Sequence, residues 1–406
     1  MADVTLLRTG HQQPSWADIP RDLAGMVLRL LPACADRARF AAVCPQWRAA
    51  ARQLPLPPPL PLLALEDGTF FSLPYGKTFR FAGRSCADYK AAACGRWLVF
   101  PRDEGCFVVD PFTRATVTLP ALSRIRLQPP NAVARYTQMG NSRIPHPFLT
   151  WMHIKDLKLE VALHKLILCS PNLVAAIFGS GPHAQILVCQ PGASSWSVRT
   201  NDRCKCFEDM AFYQGKLYAL AADDENLLVV NICQDPSTGD PEVSRIGQVI
   251  KGDLDPTVQA WLPDDAAKFV RKLYLVESCG TLLMVRRKVY CSSTGSMLLM
   301  AGHNEFEVFR ADIKHSRWVR VTTLGDDQMI FLGRYYSRAV SASQYGISGD
   351  HIFFLDDDKV NMTDYLYDKE STSVGVYDMK TREVSSPLPM VWDHKMIHTA
   401  WLFPDD

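Results

Sequence analysis

The 406-residue chain lacks the sequence features of several large protein classes. Its first fourteen residues contain no apolar core of a signal peptide. Its most apolar window, residues 159–178, is interrupted by Glu160, His164, Lys165 and Pro171, which excludes a membrane-spanning helix there. The formal net charge is +1, so no global field favours nucleic acid or a membrane surface as partner. These absences predict a soluble intracellular protein of the cytoplasm, the nucleus or both.

Twelve cysteines are present, but their spacing indicates neither a metal site nor a disulfide framework. No Cys-x-x-Cys occurs, and the closest pair, Cys204 and Cys206, has no nearby histidine. Reduced thiols that act as small apolar side chains are the favoured interpretation. Several of the others lie within apolar runs: Cys169, Cys189, Cys233 and Cys279.

Motifs of catalysis and of metal binding are also missing. The chain has no Gly-x-Ser-x-Gly elbow, Gly-x-Gly-x-x-Gly, phosphate loop or His-Glu-x-x-His. His394 and His398 have helical spacing but no evident third ligand, and the acidic segment 356–358 with Asp364 and Asp368 is interpreted as a solvated loop. We therefore expect no catalytic residue, no metal and no cofactor.

Residues 15–52 predict three short helices. Asp18 is a candidate N-cap, Pro20 suits a first turn, and Pro32 ends the first helix. The second helix is predicted from about residue 36 to 43, and the third from Pro45 to about residue 52. In the first helix one set of apolar positions follows helical spacing and predicts a buried face, while Met26 and Leu28 lie off it. That set consists of Leu23, Val27, Leu30 and Leu31.

This helical unit has more apolar surface than some 40 residues can bury alone, because so small a unit rarely forms a sufficient core. Its motif, from Trp16-x-x-Ile19-Pro20 to Val43-Cys44-x-x-Trp47-Arg48, resembles an F-box. Ile19-Pro20 stands at the position where the F-box motif usually has Leu-Pro. The resemblance implies docking onto the Skp-type adaptor, and through it a cullin, of an SCF ubiquitin ligase; a helical cap packed on the main domain is the alternative. The adaptor-binding residues that it implies are Trp16, Ile19, Pro20, Leu23, Met26, Leu28, Leu31, Pro32, Phe40, Val43, Cys44, Trp47 and Arg48.

A proline-rich stretch, residues 54–62, follows the helices. Five prolines within it exclude helix and central strand and favour extended polyproline geometry. We interpret this stretch as a semi-rigid spacer between two modules. A proline-rich ligand for a groove-binding partner is the alternative.

From about residue 62 the pattern changes to short antiparallel strands that repeat. Two hairpins share Asp-x-x-Thr-Arg between apolar strands, at Asp110 and Asp378, and a third, longer one turns at Asp312. An aspartate there bonds backbone N–H groups two residues on, so these residues are predicted to form turns rather than share a catalytic role. Arg286-Arg287-Lys288 follows a strand and is interpreted as a charged edge.

Five similar strand units and a partial one at residues 62–82 favour a β-propeller of uncertain blade number over a β-sandwich or barrel. The predicted fold class is therefore multidomain, α then all-β: a three-helix F-box, a Pro-rich linker and a C-terminal β-propeller. The predicted limits are 1–13 for a flexible N-terminus, 14–53 for the F-box, 54–62 for the linker and 63–403 for the propeller.

The order of segments in the second half, including Lys272 to Val285 and Gly349 to Asp358, resembles a plant F-box family with a kelch-like propeller. That resemblance implies a substrate receptor that binds the ligase adaptor through its helices and a target protein through its propeller. Two other hypotheses stay open: a scaffold that binds a partner without directing ubiquitination, and a propeller hydrolase with a helical cap. The hydrolase requires convergent acid–base residues in the central channel.

The longest strand-poor segment, residues 122–153, has four arginines beside aromatic residues and no acidic residue. Arginine and aromatic side chains dominate interface energies, so this segment predicts a site for an acidic or phosphorylated target segment; a solvated loop is the alternative. The target-binding residues so predicted are Arg124, Arg126, Arg135, Tyr136, Arg143 and Trp151.

Overall fold

The computed structural model describes residues 16, 19–31, 33–53, 59–65, 68–73, 77–81, 92–101, 105–122, 124–128, 136–139, 142–145, 163–178, 184–199, 207–222, 224–252, 268–294, 297–355, 365–367, 374–385 and 399–404. Asp18, Pro32, Arg135, Trp151, His394, His398 and the acidic residues 356–358, 364 and 368 lie outside these ranges.

Three helices open the described chain: α1 (Arg21–Arg29), α2 (Cys34–Val43) and α3 (Pro45–Gln53). The predicted second and third helices are confirmed, whereas the N-cap of α1 is Pro20 and not Asp18. The core of this helical unit is small. Its buried side chains are Ala24, Leu28, Phe40 and Ala50.

Three of the four apolar residues that the sequence pattern assigned to the core are exposed, and the fourth, Leu31, is half-buried against that core. Leu23, Val27 and Leu30 face solvent, while Ala24 and Leu28 are buried. Small residues on the inner face let α1 approach the other helices closely, so the larger side chains remain outside. Periodicity alone finds both faces but does not say which of them the chain itself covers.

The β-strands in the first half of the chain are β1 (Leu62–Leu65), β2 (Phe70–Ser72), β3 (Lys77–Phe79), β4 (Ala92–Cys94), β5 (Trp97–Pro101), β6 (Cys106–Val109), β7 (Thr116–Leu119), β8 (Ile125–Gln128), β9 (Tyr136–Met139), β10 (Ser142–Pro145), β11 (Leu163–Ser170), β12 (Leu173–Phe178), β13 (Gln185–Cys189) and β14 (Trp196–Arg199). Those in the second half are β15 (Phe207–Tyr213), β16 (Lys216–Ala221), β17 (Leu227–Gln234), β18 (Pro241–Ile250), β19 (Lys268–Ser278), β20 (Thr281–Thr294), β21 (Met297–Asp312), β22 (Arg317–Val321), β23 (Gln328–Leu332), β24 (Arg338–Ser341), β25 (His351–Leu355), β26 (Tyr365–Tyr367), β27 (Val374–Asp378), β28 (Val384–Ser385) and β29 (Thr399–Leu402).

These strands form six blades of a β-propeller, and β9 and β10 form a separate hairpin. The strand orders are β29-β1-β2-β3, β4-β5-β6-β7, β11-β12-β13-β14-β8, β15-β16-β17-β18, β19-β20-β21-β22 with β26 on β21, and β24-β23-β25-β27-β28. The first strand in each order is innermost, and successive innermost strands from β29 to β24 are in contact around the central channel.

The first blade joins the two ends of the propeller. β29 pairs antiparallel with β1, with Leu62 opposite Leu402 and Leu65 opposite Thr399. The partial unit predicted at residues 62–82 is therefore completed by a strand more than 300 residues away. Such closure pairs the edge of β1 that would otherwise be open and links the first blade to the last part of the chain.

Two strands leave their own blade for a neighbour. β8 follows the second blade along the chain but pairs parallel with β14 of the third, and β26 pairs parallel with β21 of the fifth blade. These exchanges help to explain why the sequence pattern left the blade number uncertain. They also correct the interpretation of residues 122–153 as strand-poor, since β8, β9 and β10 lie there.

The aspartates of the outer hairpins form turns, as the sequence predicts. Asp110 Oδ1 accepts the backbone N–H groups of Phe112 and Thr113, at 2.8 and 3.3 Å. Asp378 Oδ1 accepts those of Lys380 and Thr381, at 2.7 and 3.1 Å. These bonds to the charged form lower the pKa of the Asp378 carboxyl.

The end of the predicted linker packs into the propeller. Leu60 is buried in a cluster with Trp401 and Phe403, and the Tyr345 hydroxyl donates to the carbonyl of Pro59 at 3.4 Å. Residues 59–61 are therefore packed, which corrects the interpretation of the whole stretch 54–62 as a spacer.

The cysteines that the structure describes range from buried to exposed. Cys106 and Cys189 are buried free thiols, whereas Cys233 and Cys279 are exposed, contrary to the prediction that they act as small apolar side chains. Burial raises the pKa of the Cys106 thiol to about 12, so it stays protonated at neutral pH.

We expect N-ethylmaleimide at neutral pH to modify Cys233 and Cys279 in the folded protein more than about tenfold faster than Cys106 and Cys189, because access and thiolate formation control the reaction. Peptide mass spectrometry at timed intervals measures each rate. Denaturation should equalise the rates, and equal rates in the native protein would contradict the burial pattern.

Candidate partner-binding sites

The helical unit carries most of the exposed large apolar side chains in the described part of the chain. Large apolar side chains that are more than about a third exposed number seven there, and six of them belong to the helical unit. Leu30 is 79% exposed, Trp16 78% and Met26 62%. Isolated exposed apolar residues are ordinary, but a cluster of this kind marks an interaction site. The six are Trp16, Leu23, Met26, Val27, Leu30 and Val43, and the seventh is Val384 on β28.

A groove adjoins this surface between the start of α1 and α3. It has a volume of about 590 Å³ and includes Ile19, Pro20 and Trp47 in its lining. Trp47 is fixed from two sides: its ring stacks on Phe40 with centroids 4.3 Å apart, and its Nε1–H donates to the carbonyl of Trp16 at 3.0 Å. Trp47 therefore both supports the helical unit and lines the groove.

The structure divides the predicted adaptor-binding residues into a surface and its support. Leu28 and Phe40 are buried in the helical core and offer a partner no surface. Cys44 Sγ accepts the Trp47 backbone N–H at 3.4 Å, and Arg48 Nε donates to the Ala41 carbonyl at 3.2 Å, so both residues also hold α3 in place. The exposed members are Trp16, Pro20, Leu23, Met26, Val43 and Arg48, and the half-buried ones are Ile19, Leu31, Cys44 and Trp47.

Sequence reasoning missed two residues of this surface. Val27 and Leu30 were assigned to the core of the helical unit, yet both are exposed beside Leu23 and Met26. The signal was present in the neighbouring residues, because Ala24 and Gly25 can sit closer to another helix than larger residues can.

The predicted target-binding arginines are not equivalent. Arg126 lies on β8 and binds acidic residues of the fourth blade, with Nη1 2.6 Å from Asp235 Oδ2 and Nη2 3.2 Å from Glu242 Oε1. It therefore ties β8 to the neighbouring blade. Arg124 is exposed, whereas Tyr136 and Arg143 lie on the β9–β10 hairpin.

Charged side chains in the fifth blade are internal, which corrects the interpretation of residues 286–288 as an edge. They lie on β20, between β19 and β21. Arg287 is buried, where Nε donates to Asn304 Oδ1 at 2.7 Å and the guanidinium lies 4.4 Å from the Phe354 ring centroid. Arg286 pairs with buried Glu225 of the fourth blade and, at 2.9 Å, with Glu307.

The central channel contains a buried ion pair that joins three blades. Lys165 on β11 bonds to Asp209 Oδ1 on β15, and both side chains are buried. Asp209 Oδ2 also accepts the backbone N–H of Leu275 on β19 at 2.7 Å. Burial raises the pKa of the Asp209 carboxyl, and Lys165 is the main influence opposing that rise. This carboxylate thus connects the third, fourth and fifth blades at the centre of the ring.

The channel is consequently not purely apolar, and two of its polar side chains, Asp209 and Ser337, are bound within the chain. Asp209 is engaged by Lys165 and two backbone N–H groups. The Ser337 hydroxyl bonds to the backbone of Gly333, donating to its carbonyl at 3.2 Å and accepting its N–H at 3.3 Å. A hydroxyl nucleophile would need a neighbouring base instead.

The described residues show neither a metal site nor a membrane-spanning helix. Within them no group of three or more His, Cys, Asp or Glu side chains is placed to hold a metal ion. Likewise, none of the helices described is both long and apolar enough to span a membrane.

Three helices with a cluster of exposed apolar side chains, followed by a six-bladed β-propeller, define an F-box protein with a C-terminal propeller. Residues 16–58 match the F-box domain, and residues 70–378 match the KIB1-4 beta-propeller. The chain belongs to the KIB1-4 beta-propeller family. Its F-box and propeller together support a substrate-receptor role in general terms.

Relatives of similar length occur in Arabidopsis thaliana. F-box protein SKIP23 is 23% identical over 408 residues, covering 91% of this chain and 90% of that protein. F-box protein At2g26160 is 23% identical, covering 85% of this chain and 96% of that protein. Among solved structures, PorZ of the type-IX secretion system of Porphyromonas gingivalis is 12% identical and covers 82% of this chain and 32% of PorZ, with a TM-score of 0.29, too low to support an inference.

Proposed function

We propose that this protein is the substrate-recognition subunit of an SCF-type ubiquitin ligase, in which the F-box binds a Skp-type adaptor and the propeller binds the target. The observation that carries the proposal is the concentration of exposed apolar side chains on the F-box. The propeller has its own buried core and ring closure, so it does not need that surface for folding.

In this proposal the chain supplies geometry and specificity and no catalytic residue. Ubiquitin transfer belongs to other subunits, which the adaptor and a cullin bring to the bound target. The protein would act in the cytoplasm, the nucleus or both. The domain limits 14–53, 54–62 and 63–403 stay a prediction, modified by the packing of residues 59–61 on the propeller.

For the target surface we retain five of the predicted residues and leave out Arg126, which is bound within the chain. The retained residues are Arg124, Arg135, Tyr136, Arg143 and Trp151.

The proposal is tested by substituting exposed F-box residues. We expect Met26→Asp and Leu30→Asp each to reduce co-purified adaptor about 30-fold or more, because a central interface residue contributes about 2 kcal/mol or more. Both positions are exposed, so the free energy of unfolding of each variant should stay within about 0.5 kcal/mol of the wild-type value. Alanine at Ile19 or Trp47 is a poorer test, since both pack against the F-box core.

Val384→Asp is the matched control, because it places the same charge on an exposed apolar residue of the propeller. This variant should bind the adaptor like the wild type. Unchanged adaptor capture by both F-box variants, measured with purified proteins, would refute the proposal.

Ubiquitin transfer distinguishes a receptor from a scaffold. With adaptor, cullin, RING subunit and ubiquitin-conjugating enzyme, the wild-type chain should become ubiquitinated and Leu30→Asp should not. Adaptor binding without ubiquitin transfer to the chain or to a captured protein would favour the scaffold.

A further inference from the structure

The propeller contains a cavity on its axis that the proposed adaptor binding does not use. Its volume is about 390 Å³, within the range of about 300–1,000 Å³ common for small-molecule sites. It is lined by residues of the second to fifth blades and by residues 336–338, which lead into β24 of the sixth.

Aromatic side chains from three blades line the cavity. They are Trp97, Phe212 and Tyr336, each half-buried, and buried Met210 and Leu275 lie beside them. The Tyr336 ring is held by an edge contact with Phe403, with centroids 5.5 Å apart. Aromatic walls of this kind suit a flat apolar group, because rings stack or meet edge to face.

Two cationic side chains line the same cavity. Lys165 is buried, and its partner Asp209 lines a separate small cavity of about 30 Å³ and not this one. Arg338 is half-buried, with its guanidinium 5.4 Å from the Phe403 ring centroid. The Lys165 ammonium donates to Asp209, but it has three N–H donors and can therefore also donate to an anion in the cavity.

Glu277 is the acidic residue in the described lining, and it lies at the exposed side. Its Oε1 accepts the backbone N–H of Gly280 at 2.7 Å, in the turn between β19 and β20. Lys165 is thus the buried charge of the lining, whereas the Glu277 carboxylate is exposed and already accepts a backbone N–H.

We propose that this axial cavity binds a small organic anion with a flat apolar body, such as an aromatic carboxylate. Lys165 and Arg338 would bind the anionic group, and Trp97, Phe212 and Tyr336 would enclose the body. The inference does not depend on adaptor binding, so either can fail without the other.

Titration calorimetry of the purified full-length chain with 2-naphthoate tests the proposal. We expect one saturable site per chain, and at least tenfold weaker binding of the neutral analogue 2-naphthalenemethanol. Equal binding of the two compounds, or no saturable binding of 2-naphthoate, would overturn the proposal.

Three variants locate the site. Arg338→Gln, and the double variant Lys165→Met with Asp209→Asn, should each weaken 2-naphthoate binding at least tenfold. The double variant removes both charges together, so no single buried charge is left behind. Glu277→Gln keeps an acceptor for Gly280 and removes the one described acidic residue of the lining, so binding should tighten several-fold.

Lys216→Met is the matched control, because Lys216 is an exposed lysine on β16 that does not line the cavity. It should bind 2-naphthoate like the wild type. Melting curves identify any variant that has lost its fold. Folded cavity variants with wild-type affinity would place the ligand elsewhere and refute the assignment.

Discussion

A chain that ends at residue 398, without the closing strand β29, is expected not to form a folded propeller. The removed segment contributes Trp401, whose side chain is almost fully buried and whose Nε1–H donates to the Leu332 carbonyl at 2.9 Å. It also contributes the Phe403 backbone N–H, which donates to the Gly95 carbonyl at 2.9 Å. β29 thus contacts the sixth blade on one side and the second on the other.

The size of the effect follows from the buried residues. Replacing one buried tryptophan by alanine costs about 3–5 kcal/mol, and a whole domain is stable by only about 5–15 kcal/mol. Deleting β29 also removes Ala400, Leu402 and Phe403 from the buried core, and with them the strand partner of β1. The combined loss therefore exceeds what the propeller can tolerate.

Limited proteolysis and thermal melting measure the result. The truncated chain should be digested throughout the propeller and should lack the main cooperative transition, and Trp401→Ala should melt lower than Trp401→Phe. A chain that ends at residue 404 is the control and should behave like the wild type. Wild-type protease resistance of the chain ending at 398 would show that β29 is not needed for closure.

Local chemistry was predictable from the sequence wherever one short segment determines its own structure. Asp110 and Asp378 bond backbone groups two and three residues on, so the turn information lies within a few residues. The motif from Trp16 to Arg48 likewise lies within one short helical unit. Both predictions agree with the structure for this reason.

Features that depend on distant segments could not be read in this way. Lys165 and Asp209 are 44 residues apart on two blades, and neither has a local motif. Arg286, Arg287 and Lys288 look like an exposed run until β19, β21 and the sixth blade surround them. The blade number was also obscured, because β8 and β26 pair with blades other than those their chain positions suggest.

The exposed face of α1 shows a further limit of sequence patterns. Leu23, Val27 and Leu30 have the spacing of a core face, and a partner protein covers such a face as effectively as the chain itself would. The sequence therefore indicated that α1 has more apolar surface than the helical unit buries, but it did not indicate which face of α1 remains exposed.

Replacing Lys165 by methionine is the second change for which we expect a large effect. Asp209 would then keep its backbone bonds to Met210 and Leu275 but lose its buried cation. Removing one partner of a buried ion pair costs about 3–5 kcal/mol, whereas replacing both partners is often nearly neutral. Lys165→Met alone should therefore destabilise the propeller far more than Lys165→Met combined with Asp209→Asn.

The pH dependence tests the same mechanism. Burial raises the pKa of Asp209 in the folded protein, and the single variant loses the opposing influence of Lys165. A carboxyl whose folded pKa is raised binds its proton more tightly in the folded state, so the stability is greatest below the unfolded pKa of about 3.9 and falls as the pH rises through the folded value. The urea midpoint of Lys165→Met should thus be higher at pH 5 than at pH 8.

The double variant is the control, because asparagine cannot titrate. The difference in midpoint between the double and single variants should grow from pH 5 to pH 8, since the unpaired carboxylate is charged at the higher pH. A difference that stays constant over this interval would mean that the cost of Lys165→Met comes from packing and not from an uncompensated charge. The Lys165 side chain would then stabilise the three blades through its packing, and the charge of Asp209 would contribute nothing to their stability.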